Sequence, residues 1–486
     1  MGEDLLRLRE GDDVAVALRD LRAGERYDGL VVAGDVPRGH KIALRALRAG
    51  DPVLKYGQHI GVASAAIEAG AHVHTHNLRH DDTAPRRTAP AAQSATPAPQ
   101  ETSYFDGYVR PGGRVGTRNH IGILTSVNCS ATVARLVARR FQDHEGIDGV
   151  VALTHNTGCG LADDGEGLAI LRRTLDGYAA HPNFGAILML GLGCEVNQPA
   201  TDIPTLTIQE LGGTRKTVDA ATRAIEELLP DVARARRTRV PASELILGLQ
   251  CGGSDGYSGL TANPALGVAA DLLVAQGGTA VLGETPEIYG AEHLLAERAA
   301  TPRVAARLME RVAWWREYVA AHGGSMDHNP SPGNREGGIT TILEKSLGAV
   351  TKGGSTPLTA VYEYAERVEA KGLVFMDTPG YDPVSATGMV AGGANVICFT
   401  TGRGSVYGCR PVPSAKLATS SELFRRMAGD MDLDCGPIAD GRADPRTVGR
   451  QIFDLVLRVA SGEPTRSEEL GFGAEEFVPW QLGAVM

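Results

Sequence analysis

The stretch Leu245-Ile-Leu-Gly-Leu-Gln-Cys-Gly-Gly-Ser-Asp255 decides the fold class of this chain. A nearly continuous apolar run leads into a loop of glycine and polar residues, which is typical of a strand buried on both faces of a parallel sheet. Similar apolar runs recur at residues 121–124, 150–153, 186–190, 373–376 and 396–399. Helical stretches lie between the runs, for example at 131–141, 218–229 and 302–321. This alternation predicts an α/β body with mainly parallel sheets.

A stretch of different composition precedes this body. Residues 1–79 contain short apolar runs separated by Gly and Asp turn signals, which predicts a small β-rich domain. Residues 80–103 are rich in Ala, Pro, Thr and Arg and almost free of large apolar side chains, so we expect a flexible linker there. The body is then expected to comprise a first α/β catalytic domain over 104–240 and a second over 241–486.

The net charge and the shortness of the apolar stretches argue against several classes of protein. The formal net charge is −10 and no block of Lys or Arg provides a basic face, which argues against a nucleic-acid binder. The first residues are charged and resemble no signal peptide, and no apolar stretch reaches the length of a membrane span. We therefore expect a cytoplasmic protein without a membrane partner, and the sequence leaves a homo-oligomer open. In that compartment the seven cysteines are expected to be thiols or metal ligands.

Four of the cysteines occupy loops that follow apolar runs, namely Cys129, Cys159, Cys194 and Cys251. Any one of them could be a small packed residue. Four in equivalent loops, with His155 and Glu195 nearby, favour a metal site, and thiolate and imidazole ligands favour iron or zinc over magnesium. No CxxC pair occurs, so neither a zinc ribbon nor an ordinary ferredoxin pattern is predicted. An alternative from another class of protein is an iron–sulfur or thiol redox protein that uses these cysteines for electron transfer.

Histidines at a spacing of two residues form a second cluster. His72, His74 and His76 would share one face of a strand, because side chains alternate between the two faces. His40 and Lys41 lie in another loop of the same domain. The cluster is interpreted as a metal or substrate contact. The alternative is a polar surface between domains. A separate alternative for the whole first domain is that it is only a binding module.

Two arginines are suited to a substrate anion. Arg403 lies between two glycines and Arg118 lies two residues after Gly116. A guanidinium fork fits a carboxylate, and nearby glycines let backbone amides approach it. Each could equally be a turn arginine in solvent. The turn-rich segments 329–334 and 352–356 offer hydrogen-bonding groups for sugar hydroxyls. Residues 252–256 match the G-x-S-x-G pattern, but more loop follows where a hydrolase elbow requires a helix.

Taken together, these motifs resemble those of the altronate and galactarate dehydratases. The resemblance covers nearly the whole chain and is carried by Gly39-His-Lys41, Gly113-Arg-Val-Gly-Thr-Arg-Asn119, Val127-Asn-Cys-Ser130, Gly193-Cys-Glu195, residues 249–255, Thr261-Ala-Asn-Pro264, 329–334 and 400–404. It implies an N-terminal SAF (β-clip) domain, a hydro-lyase for a sugar acid, and Fe²⁺ as cofactor with Mn²⁺ as the alternative.

Two further stretches resemble the altronate branch of this family, residues 72–77 and residues 404–413. That resemblance implies conversion of D-altronate to 2-keto-3-deoxy-D-gluconate. A galactarate dehydratase and a sulfolactate sulfo-lyase are the alternatives.

Such a reaction needs a base for the weakly acidic C2 proton, a group that protonates the departing C3 hydroxyl, and a metal that stabilises the enediolate. We predict that Lys41, His74 and His155 transfer protons. Substrate contacts are predicted for Arg118, Asn128, Asp255, Asn334 and Arg403. The metal ligands are sought among His76, Cys129, Cys159, Cys194, Glu195 and Cys251. The four cysteine loops should meet at one edge of a sheet, because ligands bind beyond the carboxyl ends of parallel strands.

Overall fold

The computed structural model describes residues 4–82, 101–141, 144–198 and 203–485. Within the first described range lie nine strands: β1 Leu5–Leu6, β2 Val14–Ala17, β3 Arg26–Tyr27, β4 Leu30–Val31, β5 Lys41–Ala43, β6 Pro52–Lys55, β7 Gln58–Ala63, β8 His72–Val73 and β9 Leu78–Arg79. They form antiparallel sheets in the orders β1-β2-β5-β8, β3-β4 and β6-β7-β9. The predicted small β-rich domain is thereby confirmed. Of the predicted linker, residues 83–100 lie outside the described residues.

The histidine strand is shorter than expected. It ends at Val73, because Asn77 closes a turn in which its side chain accepts from the His74 amide and donates to the His72 carbonyl. His74 and His76 therefore lie in a turn and do not extend one strand face.

The next part of the chain contains a four-stranded parallel sheet in the order β13-β12-β14-β15. Its elements are β10 Tyr104–Val109, β11 Val115–Gly116, β12 His120–Thr125, α1 Ala131–Ala138, β13 Gly149–Leu153, α2 Glu166–Ala179, β14 Phe184–Gly191, β15 Thr205–Thr207, α3 Thr214–Ala233 and β16 Thr238–Pro241. The apolar strand residues alternate between two cores: Ile121 and Ile123 pack with α1 and α3, and Leu124 packs with α2. Strand β10 pairs antiparallel with β11 and β16.

The last part is built on a seven-stranded parallel sheet in the order β19-β20-β18-β17-β21-β22-β23. Its strands are β17 Ile246–Cys251, β18 Thr279–Leu282, β19 Leu358–Tyr362, β20 Gly372–Met376, β21 Val396–Thr401, β22 Ser414–Ala418 and β23 Leu433–Asp434. Its helices are α4 Ala262–Ala275, α5 Glu292–Ala296, α6 Pro302–Ala321, α7 Pro332–Glu336, α8 Ile342–Ala349, α9 Asp382–Ala391, α10 Ser421–Arg426, α11 Pro445–Ala460 and α12 Arg466–Glu469. The predicted mainly parallel α/β body is confirmed.

The order of this sheet reverses beside β17. The strands that follow β17 are added on one side of it, and β21 then returns to its other side. A crevice at such a reversal, beyond the carboxyl ends of the strands, is the usual ligand site of an open α/β sheet. The loops after β17 and β21 contact each other there, since the amides of Gly402 and Arg403 donate to the Gly253 carbonyl at 3.1 and 2.7 Å.

The first domain contacts the same region of the large body. The Tyr257 hydroxyl lies 3.2 and 3.1 Å from the carbonyl oxygens of Ala17 and Leu18, and it accepts a hydrogen bond from Arg38 at 3.1 Å. Gly39 lies against the Tyr257 ring with a positive φ of 82°, a backbone conformation that glycine adopts readily. The first domain therefore forms one wall of the crevice.

One expectation about the sheets is wrong. Cys129, Cys159 and Cys194 follow three neighbouring strands of the four-stranded sheet, whereas Cys251 ends β17 of the seven-stranded sheet. Four cysteine loops therefore do not meet at one sheet edge, because strands with similar apolar runs belong to different sheets. None of the described helices has the length and apolar character needed to cross a membrane.

Candidate active site

Three buried donor groups meet at the crevice. Cys251 is the last residue of β17, and Glu284 and Glu287 follow β18, its neighbour in the sheet. The Cys251 sulfur lies 3.7 Å from Glu284 Oε2 and 3.5 Å from Glu287 Oε2. Among the described residues this is the only group of three His, Cys, Asp or Glu donors within 4.8 Å of one another. We call it the Cys251 group.

Two lysines neutralise this group. Lys352 Nζ lies 2.7 Å from the Cys251 sulfur and 3.2 Å from Glu284 Oε2. Lys345 Nζ contacts Glu287 Oε1 and Asn329 Oδ1 at 2.8 and 2.7 Å. Both ammonium groups are almost fully buried, so each one offsets a carboxylate that burial alone would hold uncharged.

The carboxyl groups of the site have perturbed pKa values. Burial, reinforced by the charge of Glu287, raises the pKa of Glu284. The same two causes raise the pKa of Asp382, the first residue of α9. Burial opposes ionisation of Glu287 too, but Lys345 and Lys352 hold its pKa below the usual range. Glu284 also has a φ of 66°, which is rare for a residue other than glycine, and its Oε1 has no hydrogen-bond partner among the described residues. Strain and an unpaired buried oxygen together are typical of a functional group.

A second cluster faces the crevice from the first domain. The rings of His40, His72 and His74 lie 5.0 to 5.4 Å apart, and the His76 ring lies 5.4 Å from that of His72. His40 Nδ1 is 3.0 Å from His72 Nε2. His40 and His74 each place Nε2 on a backbone carbonyl of α7, that of Glu336 at 3.0 Å and that of Arg335 at 2.8 Å. A carbonyl can only accept, so these Nε2 atoms carry the protons and the Nδ1 atoms are left as acceptors.

His72 and His74 are uncharged near neutral pH. Burial lowers the pKa of His72 to about 3 and that of His74 to about 4, and in His72 the neighbouring imidazoles add to the effect. Neutral imidazoles at a crevice can accept a proton or bind a metal ion.

The contact between the first domain and α8 is a buried ion triad. Glu344 accepts from Lys41 Nζ and Lys55 Nζ, both at 2.8 Å, and none of the three side chains is more than 2 % exposed. One carboxylate shared by two ammonium groups leaves one positive charge in excess, and burial lowers the pKa of Lys41 to about 8. Lys345, the next residue of α8, pairs with Glu287 of the Cys251 group, so helix α8 links the triad to that group.

Three family models match successive parts of the chain. They are the altronate/galactarate dehydratase SAF domain over residues 3–81, the second domain of D-galactarate dehydratase/altronate hydrolase over 107–233, and the C-terminal region of D-galactarate/altronate dehydratase over 242–485. The C-terminal model alone spans half of the chain. This chain belongs to the altronate/galactarate dehydratase family.

Similar relatives cover almost the whole length of this dehydratase-family chain. An altronate dehydratase from Bacillus subtilis is 36% identical, with 97% of each chain covered. An altronate dehydratase from Escherichia coli is 38% identical over 96% of this chain and 97% of its own. A galactarate dehydratase (L-threo-forming) from Escherichia coli is 36% identical over 96% and 94%.

The Cys251 group of this family member fits a divalent metal ion by the chemistry of its donors. One thiol and two carboxylates are a mixed soft and hard set that suits iron or manganese better than magnesium. The unpaired Glu284 Oε1 offers a further lone pair. In the structure the Lys352 ammonium supplies the positive charge beside the sulfur, so a bound ion would replace that contact.

The structure brings some of the sequence-predicted residues to the crevice. Arg403 is exposed there, and its only side-chain ion pair in the described structure is with the exposed Glu336, at 3.1 Å. Asp255 is half-buried and accepts from Ser258, Thr419 and the Tyr257 amide, so it stabilises the loop after β17. Asn334 does the same, since its amide donates to the Ser254 carbonyl at 2.8 Å.

Other predicted residues lie elsewhere. Arg118 precedes β12 at the amino edge of the other sheet, where Glu468 and three backbone carbonyls take up its donors, so the predicted substrate contact does not fit. Both ring nitrogens of His155 bond to backbone atoms of Thr125 and Thr157. Glu195 is bound to Ser126 and to the amides of its own loop. Asn128 bonds to the 155–156 loop. These residues stabilise the four-stranded sheet and its loops.

A large cavity of the described structure lies away from this site. It has a volume of about 720 Å³ and is lined by residues such as Val115, Pro182, Ile246 and Asn395. These residues lie at the amino ends of the strands, whereas ligands of parallel sheets bind beyond the carboxyl ends.

Sequence reasoning missed Glu284, Glu287, Lys345, Lys352 and Asp382. The available signal was the loop Gly283-Glu-Thr-Pro-Glu287 after a buried strand. The Lys352 loop was predicted only to offer hydrogen-bonding groups for sugar hydroxyls.

Proposed function

We propose that this sugar-acid dehydratase removes water from D-altronate and forms 2-keto-3-deoxy-D-gluconate in the crevice between the first domain and the carboxyl edge of the seven-stranded sheet. The observation that carries the proposal is the buried Cys251 group with Lys345 and Lys352 at the reversal of strand order. Two of the three relatives described above are altronate dehydratases, and the altronate-like stretches at 72–77 and 404–413 support the same substrate.

Arg403 is the proposed carboxylate-binding residue. Its partner Glu336 is exposed, so the present ion pair contributes at most about 1 kcal/mol and a substrate carboxylate can displace it. A guanidinium binds a carboxylate in two parallel hydrogen bonds, which would fix the orientation of C2. The glycines on both sides of Arg403 keep this loop free of side chains that would block a sugar acid.

His74 is the proposed base. Its Nε2 proton is committed to the Arg335 carbonyl, and Nδ1, which accepts from Thr75 at 3.1 Å, has the lone pair that can take the C2 proton. The low pKa of His74 keeps the ring in the acceptor form throughout the neutral range. Lys41 is a poorer candidate for this role because Glu344 and the Gly338 carbonyl already bind its buried ammonium.

Asp382 is the proposed acid. It is partly exposed, its carboxylate lies against Gly252, and burial raises its pKa toward neutrality. As the C2–H electron pair forms the C2–C3 double bond, the C3–O bond breaks and the Asp382 proton leaves with that oxygen as water. The enol then becomes the 2-keto acid when the C2 hydroxyl loses its proton and C3 gains one. A divalent ion held by Cys251, Glu284 and Glu287 would stabilise negative charge on the substrate during this step.

The experiment is a substrate panel. The purified chain, loaded with Fe²⁺ or Mn²⁺, is incubated with altronate, other aldonates, galactarate and sulfolactate, and the 2-keto acid or sulfite formed is measured. We expect kcat/KM to be highest for altronate. Turnover of galactarate alone, or sulfite release from sulfolactate alone, would contradict the proposed substrate.

A further inference from the structure

Three exposed thiols lie together at the other sheet. Cys129, Cys159 and Cys194 are exposed, whereas the four remaining cysteines are buried. Cysteine is among the residue types most often found buried, so three exposed thiols in one region are unusual for a protein without a use for them. None of the three takes part in the dehydratase mechanism proposed above.

The strands before these thiols are adjacent and parallel. β12 lies between β13 and β14, and the pairs Leu124↔Leu153 and Thr125↔Leu190 show that the three strands end at the same level. Neighbouring strands are about 4.8 Å apart, so the loops leave the sheet within roughly 10 Å of one another.

Backbone hydrogen bonds bring the three loops closer still. The amide of Asn128, next to Cys129, donates to the Thr157 carbonyl at 3.0 Å, and the Asn197 amide donates to the Gly158 carbonyl at 3.0 Å. The loop that bears Cys159 therefore bonds to both of the other cysteine loops. Gly158 has a φ of 105°, and a Cβ there would lie 2.3 Å from the Ser126 carbonyl oxygen, so only glycine permits this approach.

Polar side chains fix the cysteine loops by hydrogen bonds and are not themselves proposed as ligands. Glu195 directs its carboxylate at Ser126 and at the amides of Leu192 and Gly193, which fixes the turn that presents Cys194. The Gln209 side-chain amide donates to the Cys194 sulfur at 3.3 Å. Hydrogen bonds from amides to cysteine sulfur stabilise the thiolate that binds a metal cluster.

The spacing of the sulfurs distinguishes between kinds of metal site. Four-coordinate metal–thiolate bonds of about 2.3 Å place sulfurs about 3.8 Å apart. The three exposed sulfurs do not all lie within 4.8 Å of one another, since the only described group that meets this limit is the Cys251 group. A cluster of several iron atoms has thiolates on different irons and accepts the wider spacing. Soft thiolate ligands also select iron–sulfur clusters.

We propose that Cys129, Cys159 and Cys194 bind an iron–sulfur cluster, separate from the Cys251 group and through three thiolates. Each thiol loses its proton to solvent when it binds iron. With only three cysteine ligands, one coordination position of a cluster with four iron atoms is left for water or another donor. The inference does not depend on the substrate proposed above.

The test measures iron and acid-labile sulfide in the full-length chain. The protein is purified without oxygen and analysed both as isolated and after anaerobic incubation with ferric iron, sulfide and a thiol reductant. We expect sulfide and iron in similar amounts and a broad visible absorption that bleaches on chemical reduction. Sulfide is the decisive quantity, because a divalent ion at the Cys251 group brings none.

Single substitutions then assign the ligands. Cys129→Ser, Cys159→Ser and Cys194→Ser should each lose most of the sulfide and the absorption while the thermal melting curve stays that of a folded protein. The matched control, Cys251→Ser, should keep both. Absence of sulfide in the wild-type protein under both conditions would overturn the proposal, whether the thiols are free, joined in a disulfide or bound to zinc. Retention of the cluster in all three variants would overturn it as well.

Discussion

Replacing Glu344 with glutamine should loosen the attachment of the first domain. Glu344 accepts from Lys41 and Lys55 at 2.8 Å, and also from the amide and hydroxyl of Thr340 at 2.9 and 2.8 Å. An amide can still accept from Thr340, but it leaves two buried ammonium groups without a counter-charge. Breaking a buried pair in this way costs roughly 3–5 kcal/mol, which corresponds to a fall of about a thousandfold in the equilibrium for docking.

The matched control is Glu336→Gln. Glu336 lies in the same segment and pairs with Arg403, but the two side chains are 69% and 45% exposed. Solvent screens such a pair, so its loss should cost less than about 1 kcal/mol.

The cost for Glu344→Gln should depend on pH. Lys41 already has its pKa lowered to about 8 by burial, even with Glu344 present. Without Glu344, the pKa of the docked Lys41 should lie even further below its value in the undocked chain. Between these two pKa values the undocked chain therefore binds more protons than the docked one. Docking is then strengthened as pH rises through this window, and the cost at about pH 7 should exceed that at about pH 9.5.

Hydrogen exchange measures this directly. Amide protection of β5 and β7 at about pH 7 should fall by two to three orders of magnitude in Glu344→Gln, and by less than about fivefold in Glu336→Gln. Protection in the β17 and β21 peptides, read in the same samples, reports whether the large body stays folded. Equal protection of β5 in the two variants would refute the argument that the buried triad holds the first domain in place.

Three further predictions concern the crevice. Cys251→Ser should lower the affinity for Fe²⁺ or Mn²⁺ by at least about tenfold, whereas Cys435→Ser should not, as measured by metal analysis after dialysis; equal metal in both would exclude Cys251 as a ligand. His74→Gln should lower kcat for altronate by about 10²- to 10⁴-fold, and a change confined to KM would show that His74 only binds substrate. Arg403→Ala should raise KM by about 10- to 100-fold, and an unchanged KM would mean that Arg403 faces solvent only.

Much of the fold could be predicted from the sequence. Residues 302–321 read as a helix, and α6 has those bounds because an apolar stripe follows Pro302 at its first turn. Apolar runs likewise predicted the strands, since only strands buried on both faces are so uniformly apolar. An apolar run does not show which strand will lie next to it in a sheet. For this reason the sequence could not show that Cys251 lies in a different sheet from the other three cysteines.

The candidate site was harder to predict. Asn334 and Asp255 were expected to bind substrate because they lie in polar loops, but both bond to the loop after β17. Glu284 and Glu287 were missed because a glutamate in a turn is usually exposed. Their buried carboxylates are paired with lysines far along the chain: Lys352 with Glu284, 68 residues apart, and Lys345 with Glu287, 58 residues apart. A pairing over that distance leaves no local pattern.

The central claim is that the Cys251 group is the catalytic centre. The measurement that tests it most directly is kcat for altronate dehydration by Glu287→Gln in the metal-loaded enzyme, with the exposed Glu463→Gln as the matched control. Removing the Glu287 charge leaves the Lys345 ammonium without a counter-charge and would delete a proposed metal donor, so kcat should fall by at least about 10³-fold while Glu463→Gln retains full activity. Wild-type turnover by a folded Glu287→Gln enzyme would contradict the placement of the catalytic centre at the Cys251 group.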